Sequence, residues 1–163
     1  MVGGDCMKKI VKKLSSLAFA LAIIVSIAGC STGAEPSKAL TAEEIAKQLQ
    51  AAELPVGNII VYTSENDLNK LLGRPNQYIS KVNFVDTTVE QGSDPAYPVG
   101  GTIETFNNAE DLKSRKEYCE EVTKSVPSLT QYHYANGNYY LRIDGAVTPE
   151  NAKKYEEAFS KIG

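Results

Sequence analysis

Residues 129–144 constrain the fold more than any other part of this chain, because they favour a β-hairpin over every other local structure. Two runs that suit strands, residues 129–135 and 138–144, flank the dipeptide Asn136-Gly137. Asn-Gly tolerates the positive φ angles that a type I′ turn requires. The sequence therefore predicts an antiparallel sheet that contains this hairpin.

Side chains alternate between the two faces of a strand, so the hairpin has one face rich in polar groups. A two-residue turn over Asn136-Gly137 would place His133 opposite Tyr140, and Gln131 opposite Arg142. These four residues share the more polar face. We expect it to be either the solvated side of a sheet that is covered on one side only, or a second candidate binding face.

Signals elsewhere in the chain predict an α+β fold. The elements expected are a helix over 42–53 after a capping box, strands at 58–63, 78–87 and 102–106, a short helical turn at 64–72, a helix from Asn107 or Asn108 to about Lys124, and a last helix opened by Thr148-Pro149. Strand, helix, strand, strand, helix, strand is the ferredoxin-like (βαββαβ) order. We expect a mainly antiparallel sheet of about five strands with helices on one face, an extra hairpin strand, and flanking N- and C-terminal helices. Residues 41–163 have the usual length of a single domain.

The first thirty residues have the pattern of a secretory signal. Four lysines between positions 8 and 13 precede an apolar run over 14–27, and the small residues Ala28 and Gly29 lead to Cys30. A helix needs about 20 residues to span a bilayer, which this run does not reach. A cleaved signal is therefore favoured over an uncleaved anchor helix. Residues 1–6, before Met7-Lys8-Lys9, are consistent with an over-long start.

Ile27-Ala28-Gly29-Cys30 resembles the lipobox of bacterial lipoproteins. The resemblance implies a signal peptide over 1–29 and a covalent diacylglycerol lipid on Cys30, which becomes the first residue of the mature chain. Two acyl chains anchor a protein stably, and residues 30–40 would form the lipidated cysteine and a flexible tether. The expected location is the extracytoplasmic side of a bacterial membrane, at the surface of a Gram-positive-type envelope.

Charge and cysteine content exclude several classes of function. The chain has 17 basic and 20 acidic residues, and removal of four lysines and Asp5 with the signal leaves 13 and 19. A net charge near −6 argues against nucleic-acid binding, which depends on basic patches. One histidine and one spare cysteine, Cys119, exclude a disulfide and a zinc site built from cysteine and histidine. We expect no metal, no cofactor beyond the lipid, and no catalytic residue from any recognised motif.

Two arginines lie in places that suggest a role. Arg74 occupies a bend between a glycine and a proline, and Arg115 lies on the apolar side of a helix. They either bind an anionic ligand together or form structural ion pairs, for which Asp86, Glu104 and Asp144 are the available carboxylates. The connection over 90–101, which contains Tyr97, is either a lid, a partner-binding loop or an unstructured insertion.

The stretches LLGRPNQYISKVNFVD (71–86) and GTIETFNNAEDLKSRKEY (101–118) resemble a family of small, functionally uncharacterised lipoproteins of Gram-positive bacteria. The resemblance covers most of 57–145. The positions that match the family's motifs are Gly73, Arg74, Pro75, Tyr78, Ser80, Lys81, Asp86, Glu104, Arg115 and Tyr118. From these we select a candidate binding surface formed by Arg74, Tyr78, Ser80, Lys81, Asp86, Glu104 and Arg115.

Together these features predict a membrane-anchored, extracytoplasmic module that binds an unknown protein or a small anionic ligand without covalent chemistry. One alternative is a cell-envelope enzyme that uses Asp86, Glu104 and His133 as acid and base groups. Two of these groups would then face one pocket with perturbed pKa values. A second alternative is a structural or assembly lipoprotein of a membrane complex, for which an exposed apolar patch would be expected.

Overall fold

A computed structural model describes residues 39–163 of the chain, which belong to one compact unit. The elements are helices α1 (Ala42–Ala51), α2 (Ala109–Ser125) and α3 (Pro149–Phe159), and strands β1 (Val56–Val61), β2 (Ser80–Asp86), β3 (Gly100–Thr105), β4 (Gln131–Asn136) and β5 (Tyr139–Asp144). The expected signal peptide, Cys30 and most of the expected tether lie outside these residues. None of the described helices is long and apolar enough to cross a membrane.

The five strands form one antiparallel sheet in the order β1-β2-β3-β5-β4. The predicted α+β class is confirmed, but the ferredoxin-like order is corrected, because residues 64–72 form turns and no helix separates β1 from β2. The carboxylate of Asp67 accepts hydrogen bonds from the amides of Leu71 and Leu72. A helix needs those amides for its own carbonyls, so this side chain competes with helix formation.

Capping residues begin each helix where the sequence predicts it. Thr41 and Glu44 form the capping box of α1, Asn108 caps α2, and Thr148 precedes Pro149 at the start of α3. These side chains satisfy amides that have no partner within the helix. The starts of the three helices are therefore predicted correctly, whereas α1 ends at Ala51, two residues before the predicted end.

The two faces of the sheet are covered differently. On the inner face, α1 and α3 pack over an apolar core that includes Val82, Phe84, Ile103 and Leu141. Helix α2 packs on the other side, which we call the outer face, beside a small cluster with Tyr140. The expectation of helices on one face thus describes α1 and α3, whereas α2 covers only part of the outer face.

The β4–β5 hairpin forms as predicted, but its turn lies one residue later. Asn136 pairs with Tyr139, and Gly137 has a positive φ of 55°. Positive φ at the first central residue alone indicates a type II′ turn, not type I′. The side chain of Asn136 donates to the carbonyl oxygens of Phe159 and Ile162 near the end of α3, which holds Asn136 in the strand.

The changed register does not move any side chain to the other face. His133 lies opposite Arg142 and Gln131 opposite Asp144. Each partner has shifted by two positions, and residues two apart on a strand share a face. The predicted common face of Gln131, His133, Tyr140 and Arg142 is therefore confirmed. The run NIIVYT (58–63) has almost no polar positions, which suggests a central strand buried on both faces. Strand β1 is instead an edge strand, because an apolar run does not specify where a strand joins its sheet.

Gly100→Ala is expected to destabilise the fold by about 1–3 kcal/mol. A Cβ atom at this position would lie 2.3 Å from both the backbone nitrogen of Asp86 and the carbonyl oxygen of Phe84, so β2 and β3 would have to separate. Urea unfolding measures the change. Gly92→Ala is the control, because a Cβ there meets no atom within 4 Å. Equal stability of the two variants would contradict the expected clash.

Candidate binding cleft

Charged residues from three neighbouring strands meet on the outer face. Lys81 on β2 lies opposite Glu104 on β3, and Arg142 on β5 lies opposite Thr102 of β3. Because Ile103 points into the inner core, strand alternation directs Glu104 to the outer side. The middle of the sheet therefore presents charged groups to the side that α2 leaves partly open.

Glu104 is fully buried and binds two arginines. Its Oε2 accepts a hydrogen bond from Arg115 Nε at 3.1 Å, and its Oε1 accepts from Arg115 Nη2 at 3.0 Å and Arg142 Nη2 at 2.9 Å. Burial alone would raise the pKa of Glu104, but the two guanidinium groups outweigh it and hold the pKa below the usual value. Arg115 is thus committed to a carboxylate, which is the structural alternative considered from sequence.

A second buried network begins at Asp67. Its Oδ1 lies 2.8 Å from Lys81 Nζ, and its Oδ2 accepts from the hydroxyl of Tyr78 at 2.7 Å, as well as from two loop amides. Burial would raise the pKa of Asp67, but the hydrogen bonds from Lys81, Tyr78 and Leu71 lower it far below its ordinary value. This carboxylate therefore ties the 62–79 loop, which joins β1 to β2, to the outer face.

The role of Asp67 was not predictable from the sequence. Its position near the start of a predicted helical turn suggested a residue of the first turn of a helix, where carboxylates are common. No spacing in the sequence links it to Lys81, fourteen positions later. The chain returns beside β1 as strand β2, and this pairing brings Lys81 close to Asp67.

A cleft of about 570 Å³ opens between α2, the 62–79 loop and the outer face. Residues that line it include Asn69, Tyr97, Arg115, Tyr118, Gln131 and Arg142. Tyr97 belongs to the 87–99 loop, which joins β2 to β3, and this loop is closed by Gln91, whose side chain bonds both backbone groups of Val99. Tyr97 is 64% exposed and Tyr118 61% exposed, so two largely exposed aromatic rings lie at the rim. The guanidinium of Arg115 lies over the Tyr118 ring, 5.7 Å from its centroid.

Arg142 has hydrogen-bonding capacity that the protein does not use. Its Nη2 bonds Glu104, its Nη1 reaches Gln131 only at 3.4 Å, and its Nε has no partner. Within residues 39–163, only Thr105 Oγ1 is a comparable buried side-chain atom without a partner. A buried donor that lacks an acceptor costs about 1–3 kcal/mol. Because Nε has almost no exposed surface, a ligand in the cleft would meet the terminal nitrogens of Arg142 and not Nε.

The charges at the floor of the cleft do not cancel. The cations Lys81, Arg115 and Arg142 face the two carboxylates of Asp67 and Glu104. Arg115 and Glu104 form a complete two-bond pair, and Lys81 pairs with Asp67, so Arg142 supplies the excess positive charge. This excess lies in a domain that is acidic overall, which makes it a local property of the cleft.

The structure merges the two predicted surfaces into one and leaves three residues out. Tyr78, Lys81, Glu104 and Arg115 lie on the same outer face as Gln131, His133, Tyr140 and Arg142. Arg74 is exposed and does not line the cleft. Ser80 Oγ accepts from the amide of Ala42 at the start of α1, and Asp86 accepts from the hydroxyl of Tyr155 in the inner core. The two cavities that Arg115 lines do not include Arg74, so a joint anion site of these two arginines stays a prediction.

His133 bonds one residue of the sheet and one of α2, and it does not line the cleft. Its Nδ1 lies 2.7 Å from the hydroxyl of Tyr140, and its Nε2 lies 3.4 Å from Thr123 Oγ1. Burial lowers the pKa of His133 and raises that of Tyr140. Since Asp86 lies on the inner face and Glu104 is held by arginines, the three acid and base candidates do not face a common pocket.

Among residues 39–163, no group of three or more histidine, cysteine, aspartate or glutamate side chains is placed to hold a metal ion. Cys119 is buried as a free thiol at the wall of the cleft. Comparison of the chain with family models, with curated proteins and with solved structures found no match in any of the three.

Proposed function

We propose that this chain is a membrane-anchored, extracytoplasmic binding module whose outer-face cleft holds an anionic ligand without covalent chemistry. The signal pattern and the lipobox resemblance at Cys30 support the anchoring. The observation that carries the binding is Arg142, which lines the open cleft, is 13% exposed, and is the cation in excess of the two buried carboxylates. Guanidinium groups with free donors are suited to carboxylate and phosphate groups.

The chemistry of the site favours binding over turnover. Both carboxylates near the cleft floor, Asp67 and Glu104, are stabilised in their charged forms by the cations beside them. A general acid or base needs a pKa near the working pH, and these groups are shifted in the opposite direction. The cleft therefore offers fixed charge and hydrogen-bond donors, which serve recognition.

A ligand of the cleft is expected to raise the melting temperature of the full chain in detergent micelles. The probes are acetate, citrate, inorganic phosphate and galacturonate. Thermal unfolding with each probe is monitored by circular dichroism. A ligand at about one hundred times its dissociation constant stabilises by about 2.7 kcal/mol, which shifts the melting temperature by several degrees. Arg142→Gln is expected to remove the shift, because it removes the excess cation.

Arg74→Gln is the matched control, because Arg74 is an exposed arginine that does not line the cleft. It should keep the full ligand-induced shift. The melting temperature of each variant is measured with and without the probe. A change in the stability of the variant itself therefore does not alter the ligand-induced shift that is compared. If no probe stabilises the parent chain, or if Arg142→Gln keeps the shift, the anion-binding proposal fails.

Intact-mass measurement of the chain from bacterial membranes is expected to show loss of residues 1–29 and addition of diacylglycerol at Cys30. Cys30→Ser should lack the added diacylglycerol mass, because it has no thiol at this position to carry the lipid. Cys119→Ser is the control, because Cys119 is buried within the folded part. An unmodified thiol at Cys30 in native material would contradict the anchoring proposal.

A further inference from the structure

The cleft is one part of a longer groove. The 570 Å³ cleft shares Asn69, Tyr97 and Arg142 with a neighbouring cavity of about 390 Å³ over Lys81 and Thr102. A third cavity, of about 290 Å³, shares Leu71, Arg115 and Tyr118 with the cleft. None of these three residues lines the 390 Å³ cavity. A ligand with several linked units fits such a groove better than a single compact molecule.

The floor of this groove offers side-chain groups to a ligand, and it has no free strand edge with which an extended peptide could pair. Strands β2, β3 and β5 are each paired on both sides, so their backbone hydrogen bonds are already made. Extended peptides usually bind by pairing with a free sheet edge. What the floor offers instead are the side chains of Asn83, Thr102, Gln131 and Arg142.

The rim adds two exposed aromatic rings to this polar floor. Tyr97 comes from the 87–99 loop and Tyr118 from α2, and both line the cleft while remaining mostly exposed. A tyrosine offers a rigid, flat apolar face with a polar hydroxyl at one end. A pyranose ring has the complementary character, with an apolar C–H face and a border of hydroxyl groups.

From this combination we propose that the groove binds an acidic oligosaccharide, whose carboxylate pairs with Arg142 and whose sugar rings pack on Tyr97 and Tyr118. This inference rests on the proposed function and names the class of its ligand. One excess positive charge matches one carboxylate, which Arg142 would bind through Nη1, whose bond to Gln131 is long at 3.4 Å. The hydroxyls would bond Gln131, Asn83 and Thr102.

Isothermal titration of the full chain in detergent micelles tests this inference with three probes. Oligogalacturonate carries rings and carboxylates, an uncharged galactose oligomer carries rings alone, and poly-L-glutamate carries carboxylates alone. We expect binding of oligogalacturonate, with at least tenfold weaker binding of the other two. Arg142→Gln should weaken the binding of oligogalacturonate by at least tenfold.

Variants of Tyr97 separate ring packing from hydrogen bonding. Tyr97→Leu should weaken binding of oligogalacturonate by up to about tenfold, the range expected for loss of an aromatic contact. Tyr97→Phe keeps the ring and should retain most of the affinity. Arg74→Gln should bind like the parent chain. Equal loss in Tyr97→Phe and Tyr97→Leu would overturn the packing of sugar on this ring.

The outcomes distinguish the inference from the proposed function. If poly-L-glutamate binds as tightly as oligogalacturonate and depends on Arg142, the cleft is an anion site but the sugar assignment is overturned. If the uncharged oligomer binds equally well, the pairing of a carboxylate with Arg142 is overturned. If no anionic probe binds in an Arg142-dependent way, including those used for thermal melting, both the inference and the proposed function fail.

Discussion

Glu104→Gln is expected to destabilise the fold by about 3–5 kcal/mol, the usual cost of removing one member of a buried ion pair. The change leaves Arg115 and Arg142 in the interior, where they are only 8% and 13% exposed, without the carboxylate that both contact. Two cations close together would then lack compensation. Urea unfolding of the parent and the variant measures the difference.

Glu117→Gln provides the matched control for this change. Glu117 is also a glutamate paired with a cation, but its side chain is 64% exposed and its nearest nitrogen, Lys113 Nζ, lies 3.8 Å away. Exposed pairs contribute about 0–1 kcal/mol. If Glu104→Gln costs no more than Glu117→Gln, the buried cluster is not a main source of stability.

Low pH should reproduce part of this loss. The pKa of Glu104 lies below its unfolded value because Arg142 and Arg115 outweigh the effect of burial. A carboxyl group with a lowered folded pKa contributes its full stability above its unfolded pKa, and loses it as the pH falls towards the folded pKa. Stability should therefore decrease below about pH 4.5, and the decrease should be smaller in Glu104→Gln.

Asp67→Asn is expected to destabilise the fold by about 3 kcal/mol or more. Lys81, only 5% exposed, would lose the carboxylate 2.8 Å from its Nζ, and Tyr78 would lose the charged acceptor of its hydroxyl. The amides of Leu71 and Leu72 bond the same carboxylate, so the 62–79 loop should also loosen. Hydrogen exchange at these two amides should become faster.

The double variant Asp67→Asn with Lys81→Met tests whether the pair acts as a unit. Removing both charges avoids an unpaired buried cation, so the double variant should be less destabilised than the sum of the two single variants. Asp94→Asn is the control, since Asp94 is exposed and bonds one loop amide. Additive effects of the two changes, or an unchanged exchange rate at Leu71, would contradict a coupled network.

Several features of the fold were predictable because they depend on residues that are close in the sequence. The caps Thr41, Asn108 and Thr148 begin the helices, since each accepts a hydrogen bond from the amide three residues later. The common outer face of His133 and Arg142 follows from alternation along the strand. The prediction of this face is correct although the predicted turn register is wrong, because each cross-strand partner is displaced by two positions and so stays on the same face.

The candidate cleft was predictable only in part. Lys81, Glu104, Arg115, Gln131 and Arg142 were all selected from the sequence, but as two separate surfaces. The sequence does not show that β5 joins the sheet beside β3, which is the pairing that brings Arg142 to Glu104. Arg74 was selected for its rigid bend, a local property that does not report its distance from the cleft.

The sequence by itself determined the helix starts, the hairpin and the division of its residues between two faces. The lipid anchor at Cys30 lies outside the described residues and stays a prediction. Only the tertiary structure decided the order of the strands, the side of the sheet on which α2 packs, and which carboxylate each buried cation binds. The physical reason is the range of the interactions. Capping, turn preference and alternation act over a few residues, whereas the pairing of Glu104 with Arg142 joins positions 38 apart and depends on where the folded chain returns.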